Sequence, residues 1–306
     1  MDKPNASSCF HFTKKFTTLK SILTDGLRFS CSFEKIPDFA LMEMFYWGID
    51  LSERDYNINL SGMIMPMICF CDIPLSRCKY HTKKYGQFGL GISKSFLCEM
   101  YGDSFNPVFY LRGERINYSF GLIPSEISFI FNDLKRKSEI AELIDDLKVS
   151  YFSHDSDLYY FFLLQLALCK PYDETDINGY YCFYDEREWR MFCLPKRISS
   201  DLDKYRIEKN WVKRYFEIRE ITPDRKELKA RNTELWKNEF SYLRIPPEAW
   251  NAISHIVVKD EQQRLELYSF IKSATHLLGY EVSKNNKNKA VLITKIKTMK
   301  EINEDF

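Results

Sequence analysis

Glycine is scarce in this sequence. Only 11 of its 306 residues are glycine, which is about half of the average usage in globular proteins. Neither the G-x-x-x-x-G-K-[S/T] phosphate loop nor the G-x-G-x-x-G dinucleotide fingerprint occurs. A P-loop NTPase and an ordinary Rossmann dehydrogenase are therefore disfavoured. Proline is equally scarce, at 11 residues, which argues against collagen-like sequence and long disordered linkers.

Net charge and long hydrophobic runs are also lacking. The 44 basic and 43 acidic residues give a formal charge of +1, which provides no general attraction to nucleic acid or to an anionic membrane. The longest apolar run, residues 158–169, is too short to cross a bilayer, and residues 1–8 contain no apolar stretch typical of a signal peptide. Nine cysteines without a secretory signal indicate reduced thiols, so we expect a cytoplasmic protein without membrane contact.

The hydrophobic pattern alternates between strand-like and helix-like segments, which predicts an α+β protein with a mixed sheet. A first strand at residues 10–12 is followed by a helix for which Thr13 is a plausible N-cap and Gly26 the C-terminal cap. Further strands are predicted at residues 64–73, 88–92, 107–111, 180–183 and 188–194, and further helices at residues 76–85 and 93–101.

Two parts of the chain depart from this alternation. Residues 125–170 show helical spacing and predict a helical insertion. Residues 245–306 predict a C-terminal β-α-β extension, with strands at 253–258 and 290–296 on either side of a helix at 261–278. Because no internal repeat or linker separates these parts, we expect a single domain over residues 1–306.

Two glutamates, Glu186 and Glu188, are candidates for catalytic chemistry. In an extended backbone their side chains point to the same side, with Arg187 on the opposite side. One carboxylate can then stabilise a developing positive charge or orient a sugar hydroxyl while the other takes a proton. The alternative is a solvated hairpin turn in which Arg190 pairs with one of the glutamates.

His11 lies between two phenylalanines on the first predicted strand, so its side chain is expected to point away from both rings. In that position an imidazole can line a cleft and donate a hydrogen bond to a ligand oxygen. The alternative is a histidine at the edge of the core that is bonded to a backbone carbonyl.

A set of cysteines near the middle of the first half is a weaker candidate site. Cys69, Cys71, Cys78 and His81 follow the spacing C-x-C-x6-C-x2-H, and four such side chains can hold zinc. The paired C-x2-C spacing of zinc knuckles is missing, and free cysteine is a common buried hydrophobe. We therefore expect no metal.

Three of the few glycines, Gly86, Gly89 and Gly91, fall within six positions. A ligand that approaches the backbone closely is one explanation for such a cluster, because glycine leaves space there. The alternative is a tight turn that leads into a packed strand.

The order of several motifs resembles that of the AbiGi-like abortive-infection proteins of bacteria. The matching segments are H-F-T at residues 11–13, L-K-S-I-L at 19–23, P-M-I-C-F-C-D-I-P-L at 66–75, His81, Y-G at 85–86, F-G-L-G at 88–91, N-P-V at 106–108 and E-R-E-W-R at 186–190. That family is associated with phage resistance and is sometimes described as the antitoxin partner of a two-gene system. The resemblance implies an anti-phage protein with a toxin or antitoxin partner, or one that meets a phage component.

The opening motif also resembles the wider ADP-ribosyltransferase-like fold. Members of that fold use an early His or Arg to contact NAD, and a late Glu, sometimes in an E-x-E pair, to bind the ribose next to nicotinamide. His11 matches the first position, and Glu188 matches the second with Glu186 as its partner. Tyr85 and Tyr110 are both candidates for the middle position.

This second resemblance implies an ADP-ribosyltransferase-like core, NAD as the substrate, and a nucleic acid or a protein as the acceptor. The implied catalytic residues are Glu188, Glu186 and His11, and the implied NAD-binding residues are His11, Thr13, Tyr85, Tyr110 and Arg190. The alternative function is a non-catalytic antitoxin or regulator. Such a protein would bind a partner through an exposed apolar patch, such as residues 42–47 or the helices of residues 125–170.

Overall fold

A computed structural model describes residues 7–35, 62–102, 104–111, 163–164, 166–176, 179–193, 210–212, 214–219, 221–283 and 286–305. The strands are β1 (Ser8–Thr13), β2 (Leu27–Arg28), β3 (Ser30–Glu34), β4 (Gly62–Cys71), β5 (Phe88–Ser93), β6 (Phe105–Pro107), β7 (Phe109–Leu111), β8 (Cys169–Pro171), β9 (Asp173–Asp176), β10 (Gly179–Cys182), β11 (Glu188–Phe192), β12 (Glu217–Arg219), β13 (Tyr242–Leu243), β14 (Ile253–Val258), β15 (His276–Leu277), β16 (Tyr280–Glu281) and β17 (Ile296–Thr298). The helices are α1 (Phe16–Asp25), α2 (Lys79–Tyr85), α3 (Lys94–Tyr101), α4 (Arg225–Leu235), α5 (Glu261–Ser273), α6 (Asn288–Thr294) and α7 (Met299–Asp305).

A nine-stranded mixed sheet forms the centre of the fold, in the order β17-β14-β5-β1-β4-β11-β6, with β3 and β12 also paired to β4. The pair β14–β17 is parallel. The other pairs of this sheet are antiparallel. The sheet and its helices confirm the predicted α+β class.

The first helix shows how the sequence pattern builds the core. Leu19, Ile22 and Leu23 lie on one face of α1 and are buried, which follows from their helical spacing. Each such side chain contributes about 1.5–3 kcal/mol through burial. Gly26 ends the helix with a φ of 97°, as predicted from its position. The predicted N-cap at Thr13 is wrong, because β1 continues through that residue and the cap is Lys15.

The C-terminal part differs from the prediction in two elements. The predicted strand at residues 290–296 is wrong: α6 covers Asn288–Thr294, and β17 begins only at Ile296. A short apolar run does not separate a buried helical turn from a strand by periodicity. The predicted helix at 261–278 ends at Ser273, because the backbone leaves the helical region at Ala274, which has a ψ of 140°, and β15 follows.

Both outer strands of this part belong to the central sheet. β14 pairs with β5, and β17 pairs in parallel with β14 after a connection that contains α5. The segment therefore has a β-α-β order, and it extends the same sheet that carries β1 and β4.

Two predictions fall largely outside the described residues. These are the apolar cluster at residues 42–47 and the helical insertion at residues 125–170. Within the second range, Leu163, Leu166 and Ala167 are buried in the core, and Cys169–Pro171 forms β8 rather than a helix. Across the described ranges, no helix has the length and apolar character needed to span a membrane.

Candidate functional site

The central sheet opens between β1 and β4. These two strands pair only at Phe10 and Cys71, whereas β1 pairs with β5 along its whole length from Ser8 to Thr13. A cavity of about 150 Å³ lies at the opening, and its walls come from β1, β4, β11, α2, the end of β3 and Lys170 of β8. This is about the volume that accommodates a benzene ring.

His11 stands at the opening and lines the cavity. Its Nδ1 is 2.9 Å from the carbonyl oxygen of Cys69. Because a carbonyl only accepts, Nδ1 carries the proton and Nε2 is left as an acceptor. Burial lowers the pKa of His11, although the bond to Cys69 partly opposes this, so the imidazole is neutral. The carbonyl bond foreseen as the alternative is present, together with the predicted place in a cleft.

The two glutamates converge, but not through the extended backbone that the sequence predicted. Glu186 ends a short 3-10 turn, Arg187 adopts the left-handed conformation with a φ of 44°, and Glu188 begins β11. Both carboxylates nevertheless meet at the Nζ atom of Lys170, at 2.6 Å from Glu186 and 2.8 Å from Glu188. The sharp turn at Arg187 thus replaces strand alternation as the cause of their proximity.

Glu186 is a buried acceptor for several donors. Its Oε1 accepts from Lys84 at 2.8 Å, from Tyr181 at 2.6 Å and from Tyr85, while its Oε2 accepts from Lys170. Burial alone would raise the pKa of Glu186. The charge of Lys170 and these hydrogen bonds outweigh burial and lower the pKa to about 2. Glu186 is therefore ionised at neutral pH.

Glu188 is held from both sides. Its Oε1 accepts from Nε of Arg190 at 2.9 Å, and its Oε2 accepts from Lys170. Burial opposes ionisation, but the charges of Arg190 and Lys170 keep the pKa of Glu188 far below its usual range. The pairing of Arg190 with a glutamate, foreseen as part of the alternative, is present, but in the protein interior rather than in a solvated turn.

Arg190 does not line the cavity. Its side chain is fully buried, and it donates to Glu188, to the carbonyl of Ala167 at 2.7 Å and to Glu34 at 2.8 Å. Protein groups therefore accept the hydrogen bonds of the guanidinium. Because the side chain is also fully buried, an NAD molecule in the cavity would not contact it. The structure gives Arg190 a positioning role for Glu188 instead of the predicted contact with NAD.

Sequence reasoning missed Lys170 and Glu34. Lys170 follows directly after the longest apolar run of the sequence. A lysine in that place can be buried only beside carboxylate partners, so its position could have indicated a buried ion pair. Glu34 ends β3 and lies in no motif. Burial raises the pKa of Glu34, Arg190 lowers it, and the nearby Glu188 raises it further.

The remaining predicted NAD-binding residues have different positions. Tyr85 lines the cavity and donates to Glu186. Tyr110 lies on β7, and its hydroxyl accepts a hydrogen bond of 2.7 Å from the backbone N–H of Glu188 at the start of β11. Thr13 is the last residue of β1, paired with Phe88, and is not among the cavity residues. Of the two tyrosines considered for the middle position, the cavity contains Tyr85.

Aromatic rings form the wall of the cavity on the side of α2. The His81 ring lies 4.5 Å from Tyr85 and 5.6 Å from Phe12. Burial is the main reason that the pKa of His81 falls from 6.5 to about 4. His81 is therefore a neutral, ring-shaped surface at neutral pH.

The cysteines do not gather as a zinc site. Cys78 points its thiol at the carbonyls of Ile73 and Pro74, at 3.6 and 3.4 Å. Burial raises the pKa of the Cys69 and Cys71 thiols well above the usual value. Within the described ranges, no group of three or more His, Cys, Asp or Glu residues could hold a metal ion.

The glycines of β5 make room for aromatic rings. A Cβ atom at Gly89 would lie 2.8 Å from the Phe12 ring, and one at Gly91 would lie 2.5 Å from the Phe10 ring. Gly86 has a φ of 111° and ends α2 against β1. Side-chain packing and a turn therefore account for the cluster, and no close approach of a ligand is needed.

The fold and site thus define an α+β protein with a buried cluster of charged residues at an opening in its central sheet. The family model described as "Putative abortive phage resistance protein AbiGi, antitoxin" matches residues 46–242. A relative from Lactococcus lactis subsp. cremoris, named abortive phage resistance protein AbiGi, is 26% identical over 266 residues, which cover 82% of this chain and 92% of the relative. The chain belongs to the AbiGi family, as its motifs predicted. No solved structure matches it.

Proposed function

We propose that this phage-resistance protein cleaves NAD in the cavity at the sheet opening and transfers ADP-ribose to a nucleic acid or a protein. The observation that carries the proposal is the meeting of His11, Glu186 and Glu188 in one cavity. His11 belongs to the first of the matched motifs, and Glu186 and Glu188 belong to the last. The three residues are therefore far apart in sequence and come together only in the folded protein.

The chemistry of the site suits this reaction. Cleavage of the bond between nicotinamide and ribose passes through a cation resembling that of glycoside cleavage, and nicotinamide leaves with the bonding electrons. The carboxylate of Glu188 stays ionised beside this charge, because its pKa is held far below neutrality. An acceptor atom then bonds to the ribose carbon, and its proton passes to solvent water.

His11 and the size of the cavity limit how NAD fits. The Nε2 atom of His11 can accept from a ribose hydroxyl or from the nicotinamide amide group. A cavity of about 150 Å³ holds one ring and not a dinucleotide. The rest of NAD must therefore extend beyond it. The rings of His81 and Tyr85 offer a stacking surface for nicotinamide.

The test is incubation of the pure protein with labelled NAD and with bacterial protein, DNA and RNA as separate acceptors. Glu188→Gln keeps the shape of the side chain but removes the charge, so we expect labelling to fall about 10²–10³-fold. Asp185→Asn is the matched control, because Asp185 is exposed in the same turn and lies outside the cavity. It should label like the wild type.

A thermal melt of each variant separates loss of chemistry from loss of folding, since Glu188 lies in a buried charge network. The mechanism fails if folded Glu188→Gln labels its target as fast as the wild type. It also fails if the wild type releases no nicotinamide with any acceptor.

A non-catalytic antitoxin is the second candidate. The description of the matching family includes the word antitoxin. In addition, both carboxylate oxygens of Glu188 already accept from Lys170 and Arg190, an arrangement that can serve the fold without any ligand. Such a protein would protect through a partner and would not need an ionised Glu188.

A further inference from the structure

A second and larger cavity lies on the other side of Phe10. Its volume is about 360 Å³, which falls in the range of small-molecule sites. Phe10 lines both cavities, so the two cavities adjoin at this residue. The walls of the second cavity come from the start of β1, the turn after β4, β14, β17 and α7.

The polar groups of this cavity are mainly hydrogen-bond donors. Lys297 is exposed on β17 and forms no ion pair with any residue that the structure describes. The hydroxyls of Ser8 and Ser76 lie in the same wall. The His255 ring packs 5.7 Å from Phe10, and its Nδ1 is buried without a hydrogen-bond partner among the described residues. Among the described residues, Lys297 thus lacks an ion-pair partner and Nδ1 of His255 lacks a hydrogen-bond partner.

The carboxylate of Glu301, which also lies in the wall, is already held by protein groups. Glu301 accepts from Arg264 at 2.6 Å and from the backbone and hydroxyl groups of Thr298 at 2.8 and 3.1 Å. Lys295 and Lys297 both act electrostatically on His255. Beside Glu301, the wall offers the positive charge of Lys297 and side chains that can donate hydrogen bonds, which is the chemistry that a phosphate group requires.

We propose that this second cavity binds the diphosphate of a nucleotide. The choice of NAD as that nucleotide rests on the proposed function, but recognition of the phosphates by Lys297 and His255 does not. If the nucleotide is NAD, its nicotinamide ring lies in the first cavity and its diphosphate in the second. The part of the molecule between them then lies beside Phe10. The two cavities together supply the room that the first lacks.

The test is calorimetric titration of the full chain with ADP and with adenosine, which lacks the phosphates. We expect ADP to bind at least about tenfold more tightly than adenosine, because a charge-assisted hydrogen bond contributes on this scale. Lys297→Ala should raise the Kd of ADP about tenfold or more and leave the Kd of adenosine unchanged. Lys300→Ala, which removes the same charge from the exposed face of α7, should bind both like the wild type.

His255→Phe is a second variant that keeps the ring contact with Phe10 and removes both nitrogens. It should also weaken ADP binding without lowering the unfolding temperature. The proposal is overturned if neither variant changes the Kd of ADP. It is likewise overturned if the wild type binds a short single-stranded oligonucleotide through Lys297 but not ADP.

Failure of the proposed function gives a different result. In that case the wild type shows no NAD cleavage, yet ADP binding still depends on Lys297. Asp185→Asn provides a further control, because Asp185 lines neither cavity and the variant should retain the ADP affinity of the wild type.

Discussion

The residue that organises the candidate site is Lys170. It joins Glu186 to Glu188, while Arg190 joins Glu188 to Glu34, so cations and carboxylates alternate through the buried cluster. Removing one partner from such a cluster typically costs 3–5 kcal/mol, because the remaining charges are left buried and unpaired. The cluster therefore fixes the carboxylates in one geometry, whatever chemistry they carry out.

His81 should make the stability of the protein depend on pH. The unfolded chain binds a proton near pH 6.5 and the folded protein near pH 4, so the unfolded state holds more protons between these values. The free energy of unfolding should therefore fall by at most about 3 kcal/mol as the pH drops through this window. His81→Phe keeps the ring packing and should flatten the curve, as measured by urea unfolding between pH 7 and pH 4.5.

The control for this experiment is His276→Phe, which alters an exposed histidine of β15 that does not line the first cavity. It should leave the slope of stability against pH unchanged. An unaltered slope in His81→Phe would show that burial of this imidazole does not contribute.

Residue identity was predictable only where a motif carried it. His11, Glu186 and Glu188 were found from short motifs and their order. Lys170 and Glu34 belong to no motif, and their roles come from contacts between strands that are far apart in sequence. Arg190 was predicted to be a site residue, but the direction of its side chain was not predicted. A sequence does not show whether an arginine side chain points into a cavity or into the protein interior.

At the scale of elements, the packing of β5 against the phenylalanine rings of β1 requires glycine at positions 89 and 91. Gly91→Ala would place a Cβ atom 2.5 Å from the Phe10 ring and 2.8 Å from Oγ of Ser254. Overpacking of this kind typically costs 1–3 kcal/mol, so we expect that loss of unfolding free energy in urea. Phe10→Leu in the same chain should relieve the contact, and the double variant should lose less than the sum of the two single variants. Strictly additive losses would contradict the packing role of Gly91.

Element types were predictable where the pattern was long or well bounded. β14 matches its predicted span, and Gly26 and Gly86 end helices as expected. The wrong predictions concern segments whose structure is determined by a short apolar run or by a backbone turn. Residues 288–294 form α6 before β17, and the left-handed Arg187 places a sharp turn where an extended backbone was considered for Glu186 and Glu188.

At the scale of the whole molecule, the sheet consists of two halves that meet at one residue pair. β17, β14, β5 and β1 form one half, and β4, β11 and β6 lie in the other. The pair Phe10–Cys71 joins them, and the two cavities lie on either side of Phe10. A ligand that occupied both cavities would contact both halves of the sheet.

Protection against phage separates the two proposed functions. The double variant His11→Asn with Glu188→Gln removes the imidazole and the negative charge of Glu188 but keeps a side-chain donor for the Cys69 carbonyl. If the protein acts as an enzyme, cells with this variant should plate phage like unprotected cells, because loss of a charge-stabilising group lowers rates about 10²–10³-fold. Asp185→Asn should protect fully, and immunoblots should show equal protein levels in all strains. Full protection by the double variant would instead rule out catalysis by these residues as the source of protection and favour the antitoxin function.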